Sequence, residues 1–173
     1  MFKKTLVAVA LLSAVSMNAA YAVDGTITFT GSIIAGTCEI NGASAPANIA
    51  VPLGNYSASE FGASGSTVAN ATIPMALTNC PASVTNVAIL FNGTADTTNP
   101  ALLAVNAGGA TGVGIGIYEA DGTTAIPVNN ASALVALAAG AGNANFVAKY
   151  VSTAATVGEG NANATAQFTI QYR

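Results

Sequence analysis

The chain has 173 residues, no histidine and a formal charge of −3, and charged residues make up only 6% of it, where about a quarter is usual. This composition excludes serine–histidine and cysteine–histidine catalysis and imidazole metal sites, and the acidic balance leaves no electrostatic footprint for nucleic acid. Because the acidic residues are scattered singly, the sequence predicts no carboxylate pair, calcium loop or cofactor site, and we expect a protein that is not an enzyme.

The first 22 residues are typical of a cleavable signal peptide. Lys3 and Lys4 form a basic start, residues 6–15 are almost continuously apolar, and Ala-Tyr-Ala at 20–22 is a small-x-small cleavage site. The apolar run is too short to stay in the bilayer as an anchor, so we expect no direct membrane insertion. Cleavage would leave one domain that starts at Val23, with two basic and seven acidic residues and a formal charge of −5.

The exported chain would begin with an amphipathic stretch. Apolar or small residues share one parity and polar residues the other, a period-two pattern typical of a strand. The residues of the apolar parity are Val23, Gly25, Ile27, Phe29 and Gly31. By pattern alone, residues 23–32 could be the ordinary first strand of a complete monomer.

Export also bears on the two cysteines, Cys38 and Cys80. In an oxidising compartment a disulfide explains them better than a metal site or a nucleophile. In the loop-entropy model such a crosslink would stabilise the fold by roughly 4 kcal/mol.

Short apolar segments separated by turn residues run through the middle of the chain. Residues 41–71 are punctuated by Gly, Pro, Ser and Asn, which predicts short strands and long turns. Strand patterns follow at 72–80, 84–91, 112–119 and 146–151, with Asn92-Gly93 and Asp121-Gly122 as predicted hairpin turns. The alanine-rich residues 131–141 predict at most a short helix, or a strand with a polar loop. This pattern favours a β-sandwich.

The C-terminal stretch, from Gly160 to Arg173, has the pattern of a strand without a neighbour. Apolar residues fall on every second position: Ala164, Ala166, Phe168, Ile170 and Tyr172. No hairpin partner follows in the sequence. A plain edge strand remains an alternative, but an apolar edge without blunting charges would be an aggregation hazard in a free monomer.

These segments resemble pilin subunits of the chaperone–usher pathway, close to the major subunits of type 1-like fimbriae. The resemblance rests on GTITFTGSIIAGTC at 25–38, on LTNC at 77–80, and on the end of the chain from Phe146, with its Gly160 and its penultimate Tyr172. It implies an all-β fold, an incomplete immunoglobulin-like β-sandwich of six strands that lacks the seventh and is completed by donor-strand exchange. It also implies one disulfide, between Cys38 and Cys80.

The resemblance also assigns roles along the chain. It implies a signal peptide (1–22), an N-terminal donor-strand extension (23–32) and a pilin domain (33–173). The donor face would be Val23, Gly25, Ile27, Phe29 and Gly31. The acceptor groove, which a chaperone would also recognise, would be formed by Gly160, Ala164, Ala166, Phe168, Ile170 and Tyr172.

The function implied by the resemblance is that of a structural subunit of an extracellular adhesive fimbria on the bacterial surface. Its partners would be identical or homologous pilin subunits, a periplasmic chaperone and an outer-membrane usher, and it would need no cofactor. Two alternatives remain: a minor or adaptor pilin of the same system, and a secreted carbohydrate-binding β-sandwich. Carbohydrate sites usually present aromatic side chains on the surface. The chain has no tryptophan, and most of its Tyr and Phe residues fall on the positions predicted to face the core, which argues against the carbohydrate-binding alternative.

Overall fold

The computed structural model describes residues 26–31, 33–34 and 36–173. The predicted signal peptide, and Val23 and Gly25 of the predicted donor strand, lie outside these residues. The chain separates into an N-terminal unit, Met1–Ser32, and a main unit, Ile33–Arg173. In the N-terminal unit, residues 26–31 have no regular secondary structure and are exposed.

The main unit is built from antiparallel β-structure. Its strands within the described residues are β1 (Glu39–Ile40), β2 (Thr67–Ile73), β3 (Ala76–Thr78), β4 (Asn86–Asn92), β5 (Leu103–Ala104), β6 (Val113–Tyr118), β7 (Ala125–Ile126), β8 (Val135–Ala136), β9 (Gly142–Asn143), β10 (Phe146–Ser152) and β11 (Gln167–Tyr172). The helical content of the same residues is one 3₁₀ turn, Ala58–Glu60. The prediction of an all-β chain with almost no helix is therefore confirmed.

The strands form three sheets. Their orders are β1-β3-β9, β2-β10-β6-β5 with β7 also paired to β6, and β11-β4-β8. β11 lies at the edge of its sheet, where its six residues pair with β4 from Gln167 opposite Asn92 to Tyr172 opposite Val87. Among the described strands, β11 therefore has a neighbour on one side only.

The core lies between the longer strands. Val87, Ile89 and Phe91 of β4 are almost completely buried, and the Phe91 ring meets the Phe146 ring edge to face at 5.0 Å between centroids. Gly116, between the isoleucines of β6, faces Tyr118 so closely that a Cβ there would lie 2.8 Å from the ring. The glycines of this strand thus permit close packing on its second face.

Two local predictions are wrong. The pattern at 72–80 is interrupted at Pro74, because proline has no N–H for a ladder, and the two halves become β2 and β3 in different sheets. Asn92 is the last residue of β4, and Asn92-Gly93 makes no hairpin, since β4 pairs with β8 and β11. The Gly93 N–H is bonded instead to the Asn129 side chain.

Two other local predictions, the turn at Asp121-Gly122 and a short strand within residues 131–141, are confirmed. Asp121-Gly122 does form the turn between the paired strands β6 and β7, where the Asp121 carboxylate accepts the backbone N–H groups of Thr123 and Thr124. Residues 131–141 contain the short strand β8 and a tight turn in which Ala138 and Ala141 bond each other. For this segment, the alternative of a strand is correct.

The predicted disulfide joins Cys38, immediately before β1, to Cys80, two residues after β3. The two cysteines are buried and 42 positions apart in sequence. The Cys38 N–H also donates to the Tyr172 hydroxyl at 3.1 Å. One point of the main unit thus links β1, β3 and the C-terminal end of β11.

The segment that precedes β11 is held against residues 105–111. Thr111 and Gly158 exchange two backbone hydrogen bonds, and the Asn161 carbonyl accepts the Ala110 N–H at 3.0 Å. Between them, Gly160 has a φ of +150°, and a Cβ there would lie 2.6 Å from the Ala110 nitrogen. Only glycine fits this combination of backbone conformation and close approach.

We expect Gly160→Ala to lower the free energy of unfolding by about 1–3 kcal/mol, because the added methyl group collides with backbone atoms that cannot rotate away. Denaturant titration followed by circular dichroism measures this change. Gly62→Ala is the matched control, since its new Cβ meets only the Ser66 side chain, at 3.7 Å. Equal stability of the two variants would contradict the close-approach argument.

Candidate functional site

An open groove with a volume of about 810 Å³ crosses the main unit. Two extended segments border it: the first edge, residues 47–56, and the second edge, residues 157–166. Core side chains form its floor, among them Met75, Phe91, Ile115, Ile117, Ala148 and Tyr150. Protein interiors rarely leave voids larger than a water molecule, so this floor is part of a core that the main unit does not close.

The first edge has the side-chain pattern of a strand without a partner. Ala47, Ile49, Val51 and Leu53 are half-buried against the core, and the residues between them are exposed. Across the described part of the chain, no backbone hydrogen bond reaches residues 47–56. The N–H and C=O groups of this edge are therefore open to a new neighbour.

The second edge is paired on one side. The carbonyls of Asn161 and Asn163 accept hydrogen bonds from the backbone N–H groups of Ala110 and Asn106. In an extended chain the backbone groups of successive residues point to opposite sides, so those of Ala162 point towards the groove. The second edge and Phe168 of β11 thus border the same floor as the first edge.

The structure places the predicted acceptor residues in two groups. Those that line the groove are Gly160, Ala164, Ala166 and Phe168. Ile170 and Tyr172 lie further along β11 and are not part of the groove lining. Tyr172 makes the hydrogen bond to the Cys38 N–H instead.

The predicted donor residues that the structure describes are solvent-exposed in the N-terminal unit. The exposed fraction is 80% for the Ile27 side chain and 91% for Phe29. Gly31 is exposed as well. Two large apolar side chains of one parity are therefore uncovered within a single short segment.

Sequence reasoning missed the first edge. Its signal was present, since Ala47, Ile49, Val51 and Leu53 alternate with other residues at period two. The surrounding Gly, Pro, Ser and Asn residues pointed to turns and hid that alternation. A proline at position 52 is compatible with this edge because no hydrogen bond there requires its N–H.

Two tyrosines lie where the groove edges approach each other. Tyr150 of β10 is buried, and its ring meets the ring of Tyr56 at 6.2 Å between centroids and 76° between planes. Burial, and secondarily the neighbouring Tyr56, raise the pKa of Tyr150. Its hydroxyl is therefore protonated at neutral pH and donates to the Ala162 carbonyl at 3.2 Å.

Within the described residues, histidine, cysteine, aspartate and glutamate form no cluster of three or more that could hold a metal ion. The same residues contain no helix with the length and apolar character needed to cross a membrane.

The groove combines an apolar floor with open backbone edges, which suits an extended peptide chain.

Comparison with known proteins places the chain in a family. A model of the family described as fimbrial protein matches residues 27–173. The chain is 34% identical over 92 residues to the S-fimbrial adhesin protein SfaS of Escherichia coli O6:K15:H31 (strain 536 / UPEC). The aligned region covers 53% of this chain and 52% of that protein. The chain thus spans about half the length of this curated relative.

Solved structures give the same result. The Burkholderia pseudomallei antigen and type I fimbria protein BPSL1626 is similar with a TM-score of 0.62 and 38% identity, over 79% of this chain and 89% of that one. A subunit of a chaperone–usher pilus shares the fold with a TM-score of 0.62 and 24% identity, over 87% and 96%. The P pilus rod subunit PapA does so with a TM-score of 0.61 and 21% identity, over 79% and 99%. The chain therefore belongs to the fimbrial protein family, and its fold is that of chaperone–usher pilus subunits.

Proposed function

We propose that this chain is a structural subunit of a chaperone–usher fimbria, and that it polymerises when the N-terminal segment of one copy enters the groove of the next. The observation that carries the proposal is the open apolar groove between two edges with unpaired backbone groups. An added strand would gain affinity from backbone hydrogen bonds with the edges. It would gain specificity from the side chains that it places on the floor.

The exposed N-terminal segment has the properties that such a strand needs. Ile27 and Phe29 share one parity and are exposed, so each gains roughly 1.5–3 kcal/mol when its side chain is buried. Each backbone hydrogen bond adds about 1 kcal/mol net. Summed over the donor segment, residues 23–32, these contributions favour a tight joint between the two copies.

This joint links different surfaces of the two copies. A head-to-tail contact of this kind extends into an open filament rather than closing on itself. The low proportion of charged residues, 6%, suits a surface that neighbouring subunits cover. The proposal therefore favours a repeated filament subunit over a minor or adaptor pilin.

Export and assembly complete the proposal. Residues 1–22 act as the signal peptide, residues 23–32 form the donor extension, and residues 33–173 form the domain that accepts it. Before assembly, a periplasmic chaperone covers the groove by lending a strand to the same edges, and an outer-membrane usher passes the subunit to the surface. The chain carries out no catalysis.

A carbohydrate-binding role has less support. Sugar-binding and other small-molecule sites combine apolar surface with a few convergent polar groups. The floor of this groove is mainly aliphatic, and no backbone hydrogen bond of the described residues reaches its first edge. The arrangement fits a peptide strand better than a sugar.

Self-complementation tests whether the segment fits the groove. In one variant the native extension is deleted and a copy of residues 23–34 follows Arg173 through a flexible linker. We expect this variant to withstand more denaturant than the deletion alone, by several kcal/mol, because Ile27 and Phe29 are buried on its floor. The same fusion with aspartate at positions 27 and 29 is the control. Identical midpoints for the fusion and the deletion would rule out the fit.

A single charge on the donor face should prevent polymerisation of the otherwise unchanged chain. We expect Phe29→Asp to reduce filament yield more than about tenfold, since a buried ring is replaced by a charge that must be desolvated. Thr28→Asp is the matched control, because Thr28 has the opposite parity. Electron microscopy and a ladder of stable oligomers measure the yield. Normal filaments from Phe29→Asp would count against donation by this face.

A further inference from the structure

Tyr150 contacts both borders of the groove. It projects from β10 into the floor, with only 8% of its surface exposed. On one side its ring packs on Tyr56 of the first edge, and on the other its hydroxyl bonds the Ala162 carbonyl of the second edge. One buried side chain therefore spans the gap that an incoming strand must enter.

A β-bulge lies beside Tyr150 in the sheet. Ala148 pairs with Ala71 and Tyr150 with Val68, so β2 has two residues where β10 has one. In the bulge, Ala69 adopts a φ of 70°, which is uncommon for a residue with a side chain. Bulges are common beside functional sites, and this one is on the strand that pairs with Tyr150.

The Ala162 carbonyl is also an atom that an added strand would use. The carbonyls of Asn161 and Asn163 are bonded on the other side of the second edge. That of Ala162 therefore points to the groove, and in the empty groove the Tyr150 hydroxyl is bonded to it. An incoming backbone N–H would have to share or replace this bond.

We propose that Tyr56, Tyr150 and the Ala162 carbonyl form a latch that holds the two edges together in the empty groove and slows the entry of a donor strand from a second copy. The inference rests on the proposed function and adds to it a group that controls the rate. Before the donor strand is fully paired, the Tyr150 hydroxyl leaves the Ala162 carbonyl and the Tyr56 ring moves away from Tyr150. Tyr150 is thus a positioning residue, with no covalent role.

Tyr150→Phe separates the latch from simple packing, because it keeps the buried ring and removes only the hydroxyl. The probe is a fluorescent peptide with the sequence of residues 23–34, mixed with the full exported chain at a dilution where copies are monomeric. We expect the variant to bind the peptide about five times faster, the factor that corresponds to one net hydrogen bond. Thermal unfolding, measured in parallel, shows whether the variant is folded.

Tyr118→Phe is the matched control. Tyr118 lies on the neighbouring strand β6 and does not line the groove. The Lys149 ammonium nitrogen lies over its ring, 5.1 Å from the ring centroid. We expect it to bind the peptide at the rate of the unchanged chain. Tyr56→Ala provides a second test if Tyr150→Phe fails to fold. We expect it to accelerate binding too, and to leave the fold intact because 42% of the Tyr56 surface is exposed.

The outcomes distinguish the two proposals. Peptide uptake by the unchanged chain, with equal or slower uptake by folded Tyr150→Phe or Tyr56→Ala, would overturn the latch and leave the proposed function standing. No uptake by the unchanged chain, together with no oligomers at high concentration, would overturn the proposed function and the latch with it. Faster uptake by the variants, with the Tyr118→Phe control unchanged, supports both.

Discussion

Among the described residues, two extended edges on either side of one apolar floor lack backbone hydrogen-bond partners on the sides that face the groove. The first edge has no backbone partner in the described chain, and β11 is paired on one side. A backbone N–H or C=O group must be bonded to protein or to water. The groove can therefore stay wet, which exposes the core, or receive another strand, which satisfies the edges and covers the floor together. Ile27 and Phe29 are exposed and share one parity, and they are the side chains that the proposed joint would place on this floor.

A domain that keeps such a groove open must hold its edges by other means. The disulfide at Cys38 and the hydrogen bond from its N–H to Tyr172 fasten the end of β11. At the other end of the groove, the close approach of Gly160 to Ala110 fixes the second edge against residues 105–111. These contacts fix both edges to the rest of the main unit, so the edges can stay in place while the core between them is incomplete.

Much of the fold was predictable because short apolar segments bounded by turn residues mark buried strands. β6, β10 and β11 lie on alternating patterns and β4 on a continuous apolar run, and the disulfide followed from the cysteine pair together with the predicted export. The failures have local causes. Pro74 divides one apolar pattern between two sheets, and Asn92-Gly93, predicted as a hairpin turn, ends β4 without a hairpin because β4 pairs elsewhere. Strand partners depend on contacts distant in sequence, which a pattern of neighbours cannot specify.

The site was predictable only in part. The C-terminal stretch was visible as an alternating pattern without a hairpin partner, and its residues Gly160, Ala164, Ala166 and Phe168 line the groove. Ile170 and Tyr172 share the same parity but lie beyond the groove, because parity defines a face and not where that face is covered. The role of Tyr150 could not be read from the sequence, since its contacts with Tyr56 and Ala162 exist only after the sheets have packed.

An electron cryomicroscopy map of filaments assembled from this chain, at a resolution that shows side chains, would reveal what occupies the groove. If the groove of one copy holds the N-terminal segment of another, we expect continuous density between the first and second edges, with Ile27 and Phe29 of a neighbouring copy on the floor. An empty groove in the filament, or a groove filled by residues 26–31 of the same copy, would contradict it.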